Sequence, residues 1–103
     1  MSKGEGIEAY ELLVVEHGTD EEVLRDLIKI EGVTEASLVY GEFDIHCKIE
    51  VDTMDELKKV ITKIRKLRII TSETLIAFEA ISKKERGLSN GHIRRLHRNR
   101  ARR

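Results

Sequence analysis

Apolar residues recur along this chain with two different periods. In AYELLVV (residues 9–15) and over residues 33–40 they gather in short runs, and in DIHCKIEV (residues 44–51) they alternate, with Ile45, Cys47, Ile49 and Val51 on one face and Asp44, His46, Lys48 and Glu50 on the other. A period of two is that of a strand. In TDEEVLRDLIKI the apolar set is Val23, Leu24, Leu27, Ile28 and Ile30, and in TMDELKKVITKIRKL it is Leu57, Val60, Ile61, Ile64 and Leu67. These are helical stripes. Each opens on capping-box spacing, Thr19 with Glu22 and Thr53 with Glu56, and Gly32 suits the exit of the first helix. A last strand is expected over ETLIAFEAI, residues 73–81.

The order is therefore βαββαβ. The halves also match at an offset of 34, Thr19 with Thr53, Glu22 with Glu56 and Leu27 with Ile61. A split βαβ unit used twice is the ferredoxin-like plan of the α+β class: a four-stranded antiparallel sheet with two helices on one face. The first and last strands are apolar on both faces: Leu12 and Val14 oppose Leu13 and Val15, and Leu75 and Ala77 oppose Ile76 and Phe78. Helices cover only one face, so the other would leave an apolar patch in water. A dimeric α/β sandwich, sheet against sheet through Leu13, Val15, Ile76 and Phe78, is the expected remedy. A chain of 103 residues points the same way, because a single small domain buries little more than about 60% of its unfolded surface.

Charge changes the picture at the far end. Residues 83–103 hold nine Lys or Arg against Glu85 alone, a net +8, whereas residues 1–82 hold 10 basic and 18 acidic residues, a net −8. Residues 1–82 are read as the folded body and residues 83–103 as a basic tail, with the boundary at KKERGLSNG, where apolar periodicity stops. Arg94, Arg95, Arg98, Arg100, Arg102 and Arg103 suit non-specific phosphate contact. They equally suit a solvated tail or one lying on the acidic body. No apolar run reaches bilayer length and the first residues lack the pattern of a signal peptide, which points to the cytoplasm. The lone cysteine, Cys47, excludes an internal disulfide. Abundant Glu, Lys and Arg is a composition found among thermophiles.

The turn between the central strands, Gly41, Glu42, Phe43 and Asp44, is richer than a hairpin needs. On the residues alone, Gly41 permits the turn, the acids solvate it and Phe43 joins the core. No metal site is expected: His46 and Cys47 are adjacent in a strand and face opposite ways, and His92 and His97 are off helical ligand spacing. Neither a catalytic triad, a P-loop nor a dinucleotide fingerprint is present, so no catalytic residue and no cofactor are expected. An enzyme on the same scaffold would place its chemistry at Asp44 and His46.

IEGVTEA after the first helix, GEFDI in the central turn and TSETLIAF at the last strand, in that order over residues 8–80, resemble the ligand-sensing (RAM) domain of the leucine-responsive regulatory (Lrp/AsnC) family. The resemblance implies dimers formed through their sheets, assembly of dimers into tetramers or octamers, and an amino acid bound between dimers near the central turn. It would make Gly41, Glu42, Phe43, Asp44, Ser72 and Thr74 the effector-binding residues. Members usually carry an N-terminal helix-turn-helix. Here only about seven residues precede the first strand, implying a stand-alone, non-catalytic sensing domain of the kind found in archaea and bacteria, able to co-assemble with full-length regulators. The alternatives are a nucleic-acid module acting through its tail and an enzyme on a dimeric ferredoxin-like scaffold.

Overall fold

The computed structural model describes residues 6–83 and 91–95. The elements run β1 (Ile7–Val15), α1 (Asp20–Leu27), β2 (Val33–Leu38), β3 (Ile45–Val51), α2 (Met54–Arg65), β4 (Ile69–Ile76), β5 (Glu79–Lys83) and β6 (Gly91–Arg95). The first four strands form one antiparallel sheet in the order β2-β3-β1-β4. With α1 and α2 on one face, this is the ferredoxin-like α+β fold. No helix among the described residues is long and apolar enough to cross a membrane.

The core lies between the helices and the odd-numbered residues of β1 and β3. Leu13, Ile45, Cys47 and Ile49 meet Val23 and Leu27 of α1 and Leu57, Val60 and Ile64 of α2 in one buried cluster. Both helical stripes thus pack as their spacing requires, except that Ile28 is exposed. The two caps differ. Thr53 Oγ1 accepts from the Glu56 N–H at 3.1 Å, and Glu56 Oε1 accepts from the Asp52 N–H at 2.9 Å. Thr19 instead donates its hydroxyl to the Glu16 carbonyl at 2.8 Å, so the first capping box does not form. At Gly32 the backbone has φ +103° and a Cβ would stand 2.7 Å from Val60 Cγ2. Only glycine meets both conditions, and the Gly32 carbonyl accepts from the Glu50 N–H at 2.8 Å, tying the exit of α1 to β3.

The strand expected over residues 73–81 is divided. β4 begins earlier, at Ile69, and ends at Ile76; Glu79–Lys83 then forms β5, which pairs antiparallel with β6 in a separate two-stranded ribbon. The boundary expected between residues 82 and 83 falls within β5. Arg94 and Arg95 stand in β6, whereas Arg98, Arg100, Arg102 and Arg103 lie outside the described residues.

Candidate functional site

The 41–44 turn joins β2 to β3, and it is fastened to a third strand. The Val39 N–H donates to the Asp44 carbonyl at 3.0 Å, closing the hairpin. The Asp44 N–H donates to the Leu13 carbonyl at 2.8 Å, and Asp44 Oδ2 accepts from the Val15 N–H at 3.0 Å. Asp44 thereby extends the β1–β3 ladder past its last residue pair, Leu13 with Ile45. The partner end of β1 is irregular: opposite β4, Val14 pairs with Thr71 but Val15 with Ile69, leaving Ile70 bulged and exposed. A bulge takes an amide out of regular pairing, and a side-chain carboxylate meets Val15 on the other edge of β1. Among the described residues, Asp44 Oδ1 has no hydrogen-bond partner.

Gly41 has φ +136° with open space where a Cβ would stand. Glu42 is exposed, Phe43 half-buried, and the preceding Tyr40 wholly exposed beside exposed Leu38 and Val39. Tyr40 was not singled out in the sequence, though VYGEFD places it directly before the turn glycine. Ser72 shares a register row with Leu13 and Ile45, one row from Asp44. Thr74 lies further along, in the row of Glu11 and Cys47. The structure therefore brings Ser72 toward the turn's end of the sheet and draws Thr74 away from it. A cleft of about 530 Å³, lined among others by Glu31, Glu50, Asp52 and Lys63, sits at the opposite end of β3.

Thr74 serves a buried acid. Its hydroxyl donates to both oxygens of Glu11, at 2.7 and 2.9 Å, and Glu11 is 0% exposed on the helix-covered face of β1. Burial pushes the Glu11 carboxyl above its ordinary range, against the pull of the Thr74 hydrogen bond, the Arg65 charge and Ser72. Glu11 is the exception in the run Ala9, Leu13, Val15, and that break in alternation is the signal by which sequence reading could have found it. Cys47, opposite Glu11, is pushed up to about 12 by burial and then by the Glu11 charge, which makes its thiol inert.

The open face of the sheet carries Glu8, Tyr10, Leu12 and Val14 of β1, His46, Lys48 and Glu50 of β3, and Thr71, Glu73 and Leu75 of β4. Of the four residues expected at the interface, two are covered by the chain itself. Leu13 and Val15, 0% and 5% exposed, belong to their own chain's core, and Ile76, 45% exposed, pairs with Ala9 on the helix side. Phe78, 61% exposed, follows the end of β4. The physical reason is that β1 is apolar on both faces, so alternation alone does not say which one the helices cover. The open face also holds a polar group. The Tyr10 hydroxyl donates to Glu8, Lys48 Nζ lies 3.4 Å from Glu8 and 3.3 Å from Glu50, and the Tyr10 and His46 rings are 5.3 Å apart. Burial works against the Lys48 charge, but Glu8 and Glu50 outweigh it and raise its pKa. His46 and Cys47 do face opposite ways, and no three His, Cys, Asp or Glu among the described residues are grouped to hold a metal.

The family description Lrp/AsnC ligand binding domain matches residues 8–86. Among solved structures, FFRP-DM1 is 41% identical over 69% of this chain and 97% of its own, with a TM-score of 0.66. E. coli AsnC is 25% identical over 80% of this chain and 56% of its own, with a TM-score of 0.67. At 10% identity, where only the fold is shared, the transcriptional regulator NMB0573 from Neisseria meningitidis, solved as an L-Met complex, has a TM-score of 0.59 over 81% of this chain and 53% of its own. No protein of curated function matches the chain.

Proposed function

Since the chain belongs to the family of Lrp/AsnC ligand-binding domains, we propose that it is a regulatory domain that senses an amino acid at the 41–44 turn and passes the signal on through its assembly, without catalysis. The observation that carries the reading is Asp44: one carboxylate oxygen holds the Val15 amide and the other stands without a partner among the described residues. A free amino acid requires acceptors for its ammonium, donors for its carboxylate and apolar contact for its side chain. Asp44 Oδ1 and Glu42 supply the first, backbone N–H groups near Gly41 the second, and Phe43 the third, while Ser72 stands with Glu11 on the helix-covered face. Thr74 supports the site indirectly, by satisfying Glu11 beneath β4. The fold's capacity for such a ligand is supported by NMB0573, whose structure holds L-Met.

Copies pair through the open sheet face around Leu12, Val14 and Leu75, with Phe78 at its margin. Pairs of such dimers meet at the exposed Leu38, Val39 and Tyr40, closing the pocket, and full-length regulators of the family are candidate co-assembly partners. The test is a thermal-shift screen of the amino acids, followed by calorimetry of the best ligand on wild type and Asp44→Asn, with mass in solution measured for both. Losing a charge-assisted hydrogen bond should weaken binding about tenfold or more, or roughly 1.5–3 kcal/mol. Unchanged affinity in a variant of unchanged assembly would return Asp44 to a purely structural role.

A further inference from the structure

The cleft at the far end of β3 from the 41–44 turn encloses about 530 Å³ between the exit of α1, the end of β3 and one stripe of α2. Its floor is apolar and is closed by a glycine. Gly32, at φ +103°, lets the chain leaving α1 lie directly on two valines, since a Cβ there would stand 2.7 Å from Val60 Cγ2 and 3.2 Å from Val51 Cγ1. The wall from α2 carries Glu56, Lys59, Val60 and Lys63, whose spacing of three, four and seven residues sets them on one helix face.

The charged groups around this floor are held in place but largely unmatched. Glu50 is met by Lys48 at 3.3 Å, and Glu56 Oε1 accepts from the Asp52 N–H at 2.9 Å, which ties the acidic rim to the start of α2. Glu31, Asp52, Lys59 and Lys63 line the same cleft, yet none of them has an ion pair or a side-chain hydrogen bond among the described residues. Lys59 and Lys63 stand one helical turn apart, where like charges repel. A carboxylate set between them would relieve that repulsion, and Glu31 and Asp52 call for cations.

We propose that this cleft is a binding site for a free basic amino acid, complete within one chain and separate from the 41–44 turn. The ligand's carboxylate lies on Lys59 and Lys63, its two cationic groups meet Glu31, Asp52 and the second oxygen of Glu56, and its methylene stem covers Val51 and Val60. The balance of charge selects this class. Four carboxylates against two ammonium groups leave the lining net negative, so a ligand with two cations and one carboxylate neutralises more of it than an amino acid with an uncharged side chain. A diamine would leave both lysines unmatched, and a simple anion would face four acids. A hard metal ion takes about six to eight oxygen ligands, and no three His, Cys, Asp or Glu among the described residues are grouped to hold one. The four-carbon stem of lysine suits so short an apolar floor, because such stems lie along apolar surface while the charged head stays among polar groups.

Titration of the full chain with L-lysine at millimolar concentration and low salt, followed by amide chemical shifts, should move the amides of Gly32, Asp52, Lys59 and Lys63 along one isotherm. Norleucine lacks the distal cation and cadaverine lacks the carboxylate, so each should bind about fivefold more weakly, the upper end for one exposed ion pair. A similar loss is expected for Lys59→Gln/Lys63→Gln and for Asp52→Asn, whose exposed positions should leave the fold unchanged by circular dichroism. The inference is overturned by no shift at those amides, by shifts confined to the 41–44 turn, by norleucine or cadaverine binding as tightly as lysine, or by an affinity that neither variant lowers. It is equally overturned if Nα-acetyl-lysine amide binds as tightly as free lysine, because the cleft would then take a lysine side chain of another protein.

Discussion

Replacing Asp44 by alanine removes the acceptor that holds the Val15 amide, and the structure gives the cost. Val15 is 5% exposed and its part-buried N–H bond to Asp44 Oδ2, 3.0 Å long, leaves the donor poorly served by water once the carboxylate is gone. A buried donor left unsatisfied costs about 1–3 kcal/mol, and a hydrogen bond to a charged group contributes about 1.5–3 kcal/mol. In a domain of this size each kcal/mol shifts Tm by roughly 4–8 °C, so Asp44→Ala should melt roughly 5–20 °C below wild type. Asp44→Asn keeps an oxygen in place and loses only the charge, so it should lose roughly half as much. Scanning calorimetry at fixed protein concentration measures both, and amide hydrogen exchange locates the effect. Val15 should lose protection in the alanine variant while Ile49, in the middle of β3, keeps its own. An alanine variant that melts with wild type and leaves Val15 protected would refute the reasoning, because the carboxylate would then not be holding β1.

Glu11→Gln tests the buried acid: with the folded carboxyl raised above its ordinary 4.5, its stabilising contribution is complete below that value and is lost as pH rises through the folded pKa, so the variant should gain on wild type in urea midpoint as pH is raised from about 4.5. A variant that loses ground as pH rises would contradict the raised pKa. Val14→Glu, on the open face, should yield folded but smaller assemblies by light scattering, whereas Val15→Glu, in the core, should unfold the chain at a cost of several kcal/mol. The reverse pattern would restore the interface expected from sequence. Cys47, buried with its thiol pushed up to about 12, should resist iodoacetamide at pH 8 until urea unfolds the chain, and rapid alkylation of the native protein would show that the core opens there.

The elements were legible wherever one periodicity dominated. β3 alternates without exception, and α2 carries a full apolar stripe with a cap that forms as its spacing suggests. Legibility failed where two physical solutions fit one pattern. β1 is apolar on both sides, so choosing between Leu13 with Val15 and Leu12 with Val14 required the positions of the helices. Thr19 has the spacing of a cap, yet the 16–19 turn offers its hydroxyl a nearer carbonyl at Glu16. Over residues 73–81, nothing in the alternation marks Ala77 and Phe78 as a break. At the candidate site, the turn glycine and the acids were readable as a local motif. The role of Asp44 was not, because its partners Leu13 and Val15 lie 31 and 29 residues away in sequence. Thr74 was selected by resemblance, and its engagement with Glu11 depends on a register between strands that no local pattern encodes.

The attachment of Asp44 to β1 has a consequence for how such a domain responds to protein concentration. Leu13 and Val15, which hold the turn, bracket Val14, whose side chain stands on the open face. One residue of backbone thus separates the candidate effector turn from the surface proposed to pair copies. Two equilibria sharing a strand in this way are linked, and linkage is reciprocal. An effector that tightens the pairing of copies must itself bind more tightly when copies are paired, by the same factor. Its apparent affinity therefore rises with the concentration of the protein, so the abundance of this chain would set the effector level at which it responds.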